Sequence, residues 1–263
     1  MAIFCSLFSG SSGNCTLVGS KESAVLIDAG VSAKAICNAL NTVEYDISKI
    51  AAIFITHEHI DHIRGLTQLI SKYKIPVYAN KGTIQGIIKE KKIDTNYIFE
   101  MATGETNEIA DMCISSFSTS HDSNESVGYR IYTNDGKKIA VATDLGYISD
   151  TVLENIKYCD VVMLESNHDV RMLQNGKYPY FLKRRILSAN GHLSNDDCSS
   201  VLPILVENGT KYIYLAHISK DNNFPELAIQ TAVSLLHVSG LIQDKDYYIE
   251  AAPQLETSRI CCL

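Results

Sequence analysis

The 263-residue chain contains no apolar run approaching the roughly 18 residues that a membrane-spanning helix needs. Nor does Met1-Ala2-Ile3-Phe4-Cys5 open a basic region followed by a signal-like apolar core. Both absences predict a cytoplasmic protein with no membrane partner. A CxxC pair is lacking as well: eight cysteines are scattered over positions 5, 15, 37, 113, 159, 198, 261 and 262, in apolar or small-residue surroundings. That spacing suits reduced thiols rather than a disulfide framework or a thiolate metal site. Cys261-Cys262-Leu263 does not form a prenylation box. Positive charge is short too, with 23 Lys and Arg against 30 Asp and Glu, a formal net charge of −7. Binding of nucleic acid by bulk basicity is therefore excluded, and a polyanion would need a local patch. No internal repeat, low-complexity tract or linker interrupts the sequence. The expectation is one domain over residues 1–263, a length that buries a full core.

What the chain does contain is Thr56-His57-Glu58-His59-Ile60-Asp61-His62, directly after the apolar run Ala51-Ala52-Ile53-Phe54-Ile55. On an extended backbone His57 and His59, two apart, point the same way. Asp61 and His62 begin the next element and turn toward a second point, so one short loop supplies ligands to two adjacent cations. The arrangement recurs along the chain, where apolar strands end in Asp28, His57, His121, Asp144, Glu165 and His217. Helix capping explains an aspartate at such a place but does not call for histidine. If these ends converge, one sheet edge carries a ring of nitrogen and oxygen donors. Asp28 alone has two readings, a carboxylate that orients a histidine or a cap for the following helix. The loop Ser9-Gly10-Ser11-Ser12-Gly13-Asn14 is either a plain hairpin turn or a segment small enough to approach a site closely.

Hydrophobic periodicity predicts strands at 3–8, 14–18, 24–28, 51–55, 75–79, 126–133, 138–143, 160–164 and 212–216, with several more inside 97–117. Helices are expected over 32–41, 63–70, 82–91, 148–156, 179–188, 195–206 and 225–237. His237, on what reads as an apolar helix face, is assigned a structural role. The stretch 171–190 stands apart as a basic helical segment. Arg171, Lys177, Lys183, Arg184 and Arg185 fall there with no acid between Asp169 and Asp196, and Tyr178, Tyr180 and Phe181 are interleaved. Such a run suits a phosphate backbone with stacked bases, or else a solvated helix whose arginines pair with distant carboxylates.

Taken together, His57-x-His59-x-Asp61-His62, with Asp28 upstream and His121, Asp144 and His217 downstream, resembles the metallo-β-lactamase superfamily. The resemblance runs from the first strands to His217 and implies an α+β fold, a four-layer αββα sandwich with a binuclear metal site at one edge of its sheets. It implies that His57, His59 and His121 hold one ion, that Asp61, His62 and His217 hold the other, and that Asp144 bridges them. Asp28 would orient a ligand histidine from behind. Donors confined to nitrogen and oxygen suit zinc, manganese or iron and exclude a thiolate-selected metal. Common zinc β-lactamases resemble one another in a cysteine where Asp144 stands, and oxygen-reducing diiron members in a glutamate where His59 stands, so neither activity is expected.

A closer resemblance lies in Ser9 to Asn14, Thr56 to His62, Glu165-Ser166-Asn167-His168-Asp169, Gly191-His192-Leu193-Ser194-Asn195 and Leu215-Ala216-His217-Ile218-Ser219. These look like the YycJ/WalJ type, within the ribonuclease Z-related branch. That likeness implies a phosphodiesterase or nuclease, exonuclease-like with DNA preferred, working through a metal-bridging hydroxide. Asp61 would accept the proton of the water, and His192, held by Glu165, would protonate the leaving group; His192 is otherwise a turn residue before a helix. His168 faces substrate or caps the next helix, and Lys183, Arg184 and Arg185 are the expected phosphate contacts. The competing function is a thioester or lactone hydrolase, which predicts a compact apolar pocket and no use for the basic run. A nucleic acid or other phosphodiester is the expected partner, and a homo-oligomer is left open.

Overall fold

In the computed structural model, which describes residues 1–20 and 22–263, the strands follow the apolar runs. Contacts divide the chain into two units, one of Met1–Ser118, Ser123–Lys137 and Pro253–Leu263, the other of Thr119–Asp122 and Lys138–Ala252.

In the first unit β1 (Ala2–Phe8) and β2 (Cys15–Ser20) form an antiparallel hairpin. The strand β3 (Ala24–Ile27) pairs antiparallel with β2, and β4 (Ile50–Phe54), β5 (Val77–Ala79) and β6 (Ile98–Glu100) then add in parallel. Parallel neighbours need long crossovers, supplied by α1 (Ala33–Thr42), by the pair α2 (Ile60–Ile63) and α3 (Leu66–Tyr73), and by α4 (Lys81–Glu90). Being covered, β3 is apolar throughout rather than alternating. Leu26, Ile53 and Val77 pack in one buried cluster with Ile36, Leu40, Leu66, Leu69 and Ile70 of the helices. The same unit holds β7 (Thr106–Ile109), β8 (Met112–Ser118) and β9 (Val127–Thr133), paired antiparallel in that order, and the short β14 (Cys261–Cys262) beside β1.

The second unit contains four parallel strands, β10 (Lys138–Ala142), β11 (Val161–Glu165), β12 (Tyr212–Ala216) and β13 (Tyr248–Ala251). Its helices are α5 (Asp150–Ile156), α6 (Val170–Asn175), α7 (Tyr180–Ile186), α8 (Asn195–Glu207) and α9 (Pro225–Val238).

Three features depart from the sequence reading. The helix expected over 63–70 is interrupted at Arg64 and Gly65, because the Gly65 N–H donates to the Ala29 carbonyl at 2.8 Å and not to the Asp61 carbonyl four residues back, which accepts the Asn14 N–H. The elements β13 and β14 were not expected; they are four and two residues long, too short for a periodicity to register. His237 is exposed in the last turn of α9, not on an apolar face. Among the described residues no helix is long and apolar enough to cross a membrane.

Candidate metal centre

In the first unit the chemistry gathers where β4 ends. Ile55, Thr56 and His57 continue it as buried backbone, His59 is the extended N-cap of α2, and Asp61 and His62 lie in that helix's single turn. The loop is held by Asp28, 2 % exposed at the end of β3. Its Oδ1 accepts the Thr56 backbone N–H at 2.9 Å, and its Oδ2 accepts both the Thr56 hydroxyl at 2.9 Å and His62 Nδ1–H at 2.8 Å. The capping alternative fails, since α1 is capped by Ser32, whose Oγ accepts the Ala35 N–H at 3.2 Å. Thr56 also anchors a second ring. His57 Nδ1 lies 3.1 Å from its Oγ1, so Nδ1 carries the proton and donates to that oxygen. Both buried histidines therefore turn an unprotonated Nε2 away from their anchors, the tautomer that a metal needs. His57 Nε2 stands 3.1 Å from His59 Nδ1. Two nitrogens bound at about 2.1 Å around a tetrahedral ion sit about 3.4 Å apart, so this pair is spaced as ligands of one ion.

The loop from Ser9 to Asn14 is a hairpin turn and also reaches the site. Asn14 Nδ2 lies 3.1 Å from His62 Nε2, and Asn14 N–H donates to the Asp61 carbonyl at 2.8 Å. Gly30 permits this approach, for a Cβ there would lie 1.6 Å from the Asp61 carbonyl oxygen.

In the second unit the donors follow β10, β11 and β12. Asp144, Glu165, His192 and His217 each present an atom within 4.8 Å of the others. Glu165, fully buried, accepts His192 Nδ1–H at 2.8 Å and His217 Nδ1–H at 3.0 Å on Oε1, and the Leu145 N–H at 2.8 Å on Oε2. Burial works to raise the pKa of this carboxyl, but the charge of His192 and the two imidazole hydrogen bonds hold it below the usual carboxylate range. His192 moves the opposite way: burial opposes its charged form, and Glu165 with Asp144 overcomes that, raising its pKa. His121 donates Nδ1–H to the Gly191 carbonyl at 3.0 Å, and burial holds it neutral, below the ordinary imidazole range. Asp144 Oδ1 lies 3.4 Å from His192 Nδ1 and 3.5 Å from His217 Nδ1. Here too the imidazoles are anchored through Nδ1 and leave Nε2 outward.

Sequence reasoning missed Thr56, Asn14 and the Gly191 carbonyl as anchors. The first two were visible only as members of conspicuous stretches, and a backbone carbonyl has no residue-type signal.

Four expected substrate residues do not join these clusters. His168 is 1 % exposed, neither ring nitrogen has a hydrogen-bond partner among the described residues, and burial drops its pKa to about 4. It does not cap α6, whose cap is Asp169, with Oδ1 accepting the Met172 N–H at 2.7 Å. Lys183 spends its ammonium on the carbonyls of Gln174 and Gly176, at 2.8 and 2.7 Å. Arg185 is held in a two-point ion pair with Asp122. Arg184 is exposed, its guanidinium 5.9 Å from the Tyr180 ring centroid.

Strands that end in Nε2-presenting histidines and paired carboxylates, with no thiolate among the donors, define a metal-dependent hydrolase class, and residues 23–218 match the family described as Beta-lactamase superfamily domain. The chain belongs to that superfamily. Among its relatives, exodeoxyribonuclease YycJ of Bacillus anthracis is 41% identical over 240 residues, 90% of each protein. Exodeoxyribonuclease WalJ of Streptococcus pneumoniae serotype 2 is 40% identical over 257 residues, 95% of this chain and 94% of its own. The crystal structure of zinc-bound PqqB from Methylobacterium extorquens superposes with a TM-score of 0.71 at 16% identity, covering 98% of this chain and 99% of its own. That likeness shows the fold, the αββα class that the sequence led us to expect. Family and donor chemistry together support the use of divalent metal.

Proposed function

We propose that the chain is a metal-dependent exodeoxyribonuclease that hydrolyses phosphodiesters with two divalent ions, zinc or manganese, iron being suited to the same donors. His57, His59 and His121 are assigned to one ion and Asp61, His62 and His217 to the other, with Asp144 shared, as the family pattern implies. When bound, such a pair would acidify a water nucleophile and offset charge building on the phosphate oxygens. Asp61 is assigned as the acceptor of that water's proton. Its carboxylate suits that role, being partly exposed and 3.7 Å from His62 Nε2.

The observation that carries the reading is the Glu165–His192 pair. A DNA phosphodiester expels an alkoxide, which must be protonated as it leaves. His192 keeps Nδ1–H on Glu165 Oε1 at 2.8 Å, and its raised pKa favours the imidazolium, so Nε2–H is the proton given to the departing oxygen. Single-domain organisation over residues 1–263 and the phosphate contact at Arg184 belong to the same proposal. The relatives' names support DNA as the substrate.

The metal-loaded protein should cleave 5′-phosphorylated DNA and leave a model thioester and a model lactone intact. In His192→Ala, DNA cleavage should fall by about 10²–10⁴. Hydrolysis of bis(p-nitrophenyl) phosphate should suffer far less, because nitrophenolate departs without a proton. A variant that keeps its metal and cleaves DNA at the full rate would remove His192 from the mechanism.

A further inference from the structure

The basic segment separates into braced and outward-facing side chains. Lys183 fastens α7 to the end of α6 through the carbonyls of Gln174 and Gly176, and Arg185 fastens it to Asp122. Tyr178 is tied down as well, its hydroxyl donating to Asp221 at 2.8 Å. On the inner side Ile186 is buried. What these contacts hold outward is a pair of large rings, Tyr180 at 75 % and Phe181 at 74 % exposure. Arg184, one helical turn on, lies over the Tyr180 ring. Arg171 and Lys177 are exposed on the neighbouring stretch, and no acid occurs between Asp169 and Asp196.

Two water-exposed aromatic faces on a short braced helix, one of them under Arg184 and both flanked in sequence by further cations within an acidic protein, are unfavourable for the protein alone and complementary to one kind of partner. We propose that Tyr180 and Phe181 form a stacking surface for unpaired bases, with Arg184 and its basic neighbours on the adjoining phosphates, so that the enzyme engages single-stranded DNA ends in preference to blunt duplex. In a duplex both faces of each internal base are covered by its neighbours. An aromatic ring reaches a base face only where the strand is unpaired, and such stacking tolerates any sequence. This inference rests on the nuclease reading and adds to it which form of DNA is held.

The test uses the full-length, metal-loaded protein and a fluorescein-labelled, 5′-phosphorylated phosphorothioate 12-mer, single-stranded or as blunt duplex, followed by anisotropy. Wild type should prefer the single strand. Tyr180→Ala with Phe181→Ala should weaken single-strand binding about 10- to 100-fold and move duplex binding little. Tyr180→Trp with Phe181→Trp should retain the preference. Both side chains are so exposed that neither change touches the core, and a circular dichroism melt confirms that the fold is kept. Equal single-strand affinity in the double alanine variant overturns the inference. So does a loss confined to binding of phosphatidylglycerol vesicles, which would make the rings a membrane contact, or a loss confined to self-association in light scattering, which would make them a contact between copies. Hydrolysis of bis(p-nitrophenyl) phosphate is measured beside these. If wild type hydrolyses no diester, the activity proposal fails, whereas an unchanged ratio of DNA to small-diester rates in an active double variant fails the stacking surface alone.

Discussion

Asp28 should control metal affinity without touching metal. Replacing it with asparagine preserves size, and the new Oδ1 can still accept the Thr56 N–H that Asp28 takes at 2.9 Å. The opposite edge changes: an amide N–H now faces His62 Nδ1, where the carboxylate oxygen accepted its proton at 2.8 Å. Two donors cannot meet there, so the ring carries its proton on Nε2, the atom that must offer a lone pair to a cation. Substituting such outer partners lowers metal affinity about 10–100-fold, roughly 1.4–2.8 kcal/mol. Asp28→Ala goes further, leaving the Thr56 N–H and the Thr56 hydroxyl buried without an acceptor and His62 Nδ1–H with only the Thr56 oxygen at 3.2 Å. At about 1–3 kcal/mol for each orphaned donor, folding stability should drop by about 2–6 kcal/mol. Zinc titration in competition with a fluorescent chelator reads the first effect, and urea unfolding reads the second. Asp28→Asn binding zinc within twofold of wild type would refute the tautomer argument, even if the alanine variant were unstable.

Gly30→Ala should harm the same loop by sterics, because its Cβ would meet the backbone of Asp61 at 1.6 Å and of Asn14 at 2.5 Å, neither of which can rotate aside. A stability loss of about 3 kcal/mol with lowered metal content is expected, and a wild-type melting temperature with full metal content would contradict it. Asp135→Asn tests a carboxylate outside the candidate metal clusters. Hydrogen bonds from Thr133 Oγ1 at 2.6 Å and Ala2 N–H at 2.7 Å hold this carboxyl down at about 2, from an ordinary 3.8. A depressed carboxylate pKa stabilises the fold above its unfolded value and ceases to as pH falls through its folded one. The difference between wild type and Asp135→Asn in urea unfolding should therefore be present at pH 5 and shrink between about pH 4 and 2. At this partly exposed position it should stay below about 1 kcal/mol, and a difference independent of pH would show that the charge is irrelevant.

The candidate ligands were legible because their types are rare at strand ends. Histidine in that place has no capping or packing reason, so His57, His121 and His217 announced themselves, and the aspartates gained meaning from them. Their anchoring was not legible. Asn14, Thr56 and the Gly191 carbonyl act through contacts between segments 28 to 70 residues apart, and a sequence gives residue types without distances. The same limit left two readings of the basic run open, since charge alone made Lys183, Arg184 and Arg185 equivalent. The structure commits the first and third to protein partners and leaves Arg184 exposed.

Backbone shape adds a constraint that composition hides. Asp28, Asp144 and His217 end β3, β10 and β12 with φ of 64°, 59° and 54°, left-handed conformations uncommon outside glycine and tolerated best by asparagine, aspartate and histidine. Two residue types that coordinate metals through oxygen and nitrogen, aspartate and histidine, are thus also among the few that can make these turns. Each of the three residues lies one or two positions past the last residue of a buried strand, where the left-handed conformation redirects the chain. Leu145 N–H, the next amide after Asp144, consequently lands on Glu165 Oε2 at 2.8 Å and helps fix the carboxylate that orients two histidines. Selection for the turn and selection for the donor fall on one position, so a hydrophobic replacement there damages fold and site together. The strained backbone at these strand ends is part of how the donors are aimed.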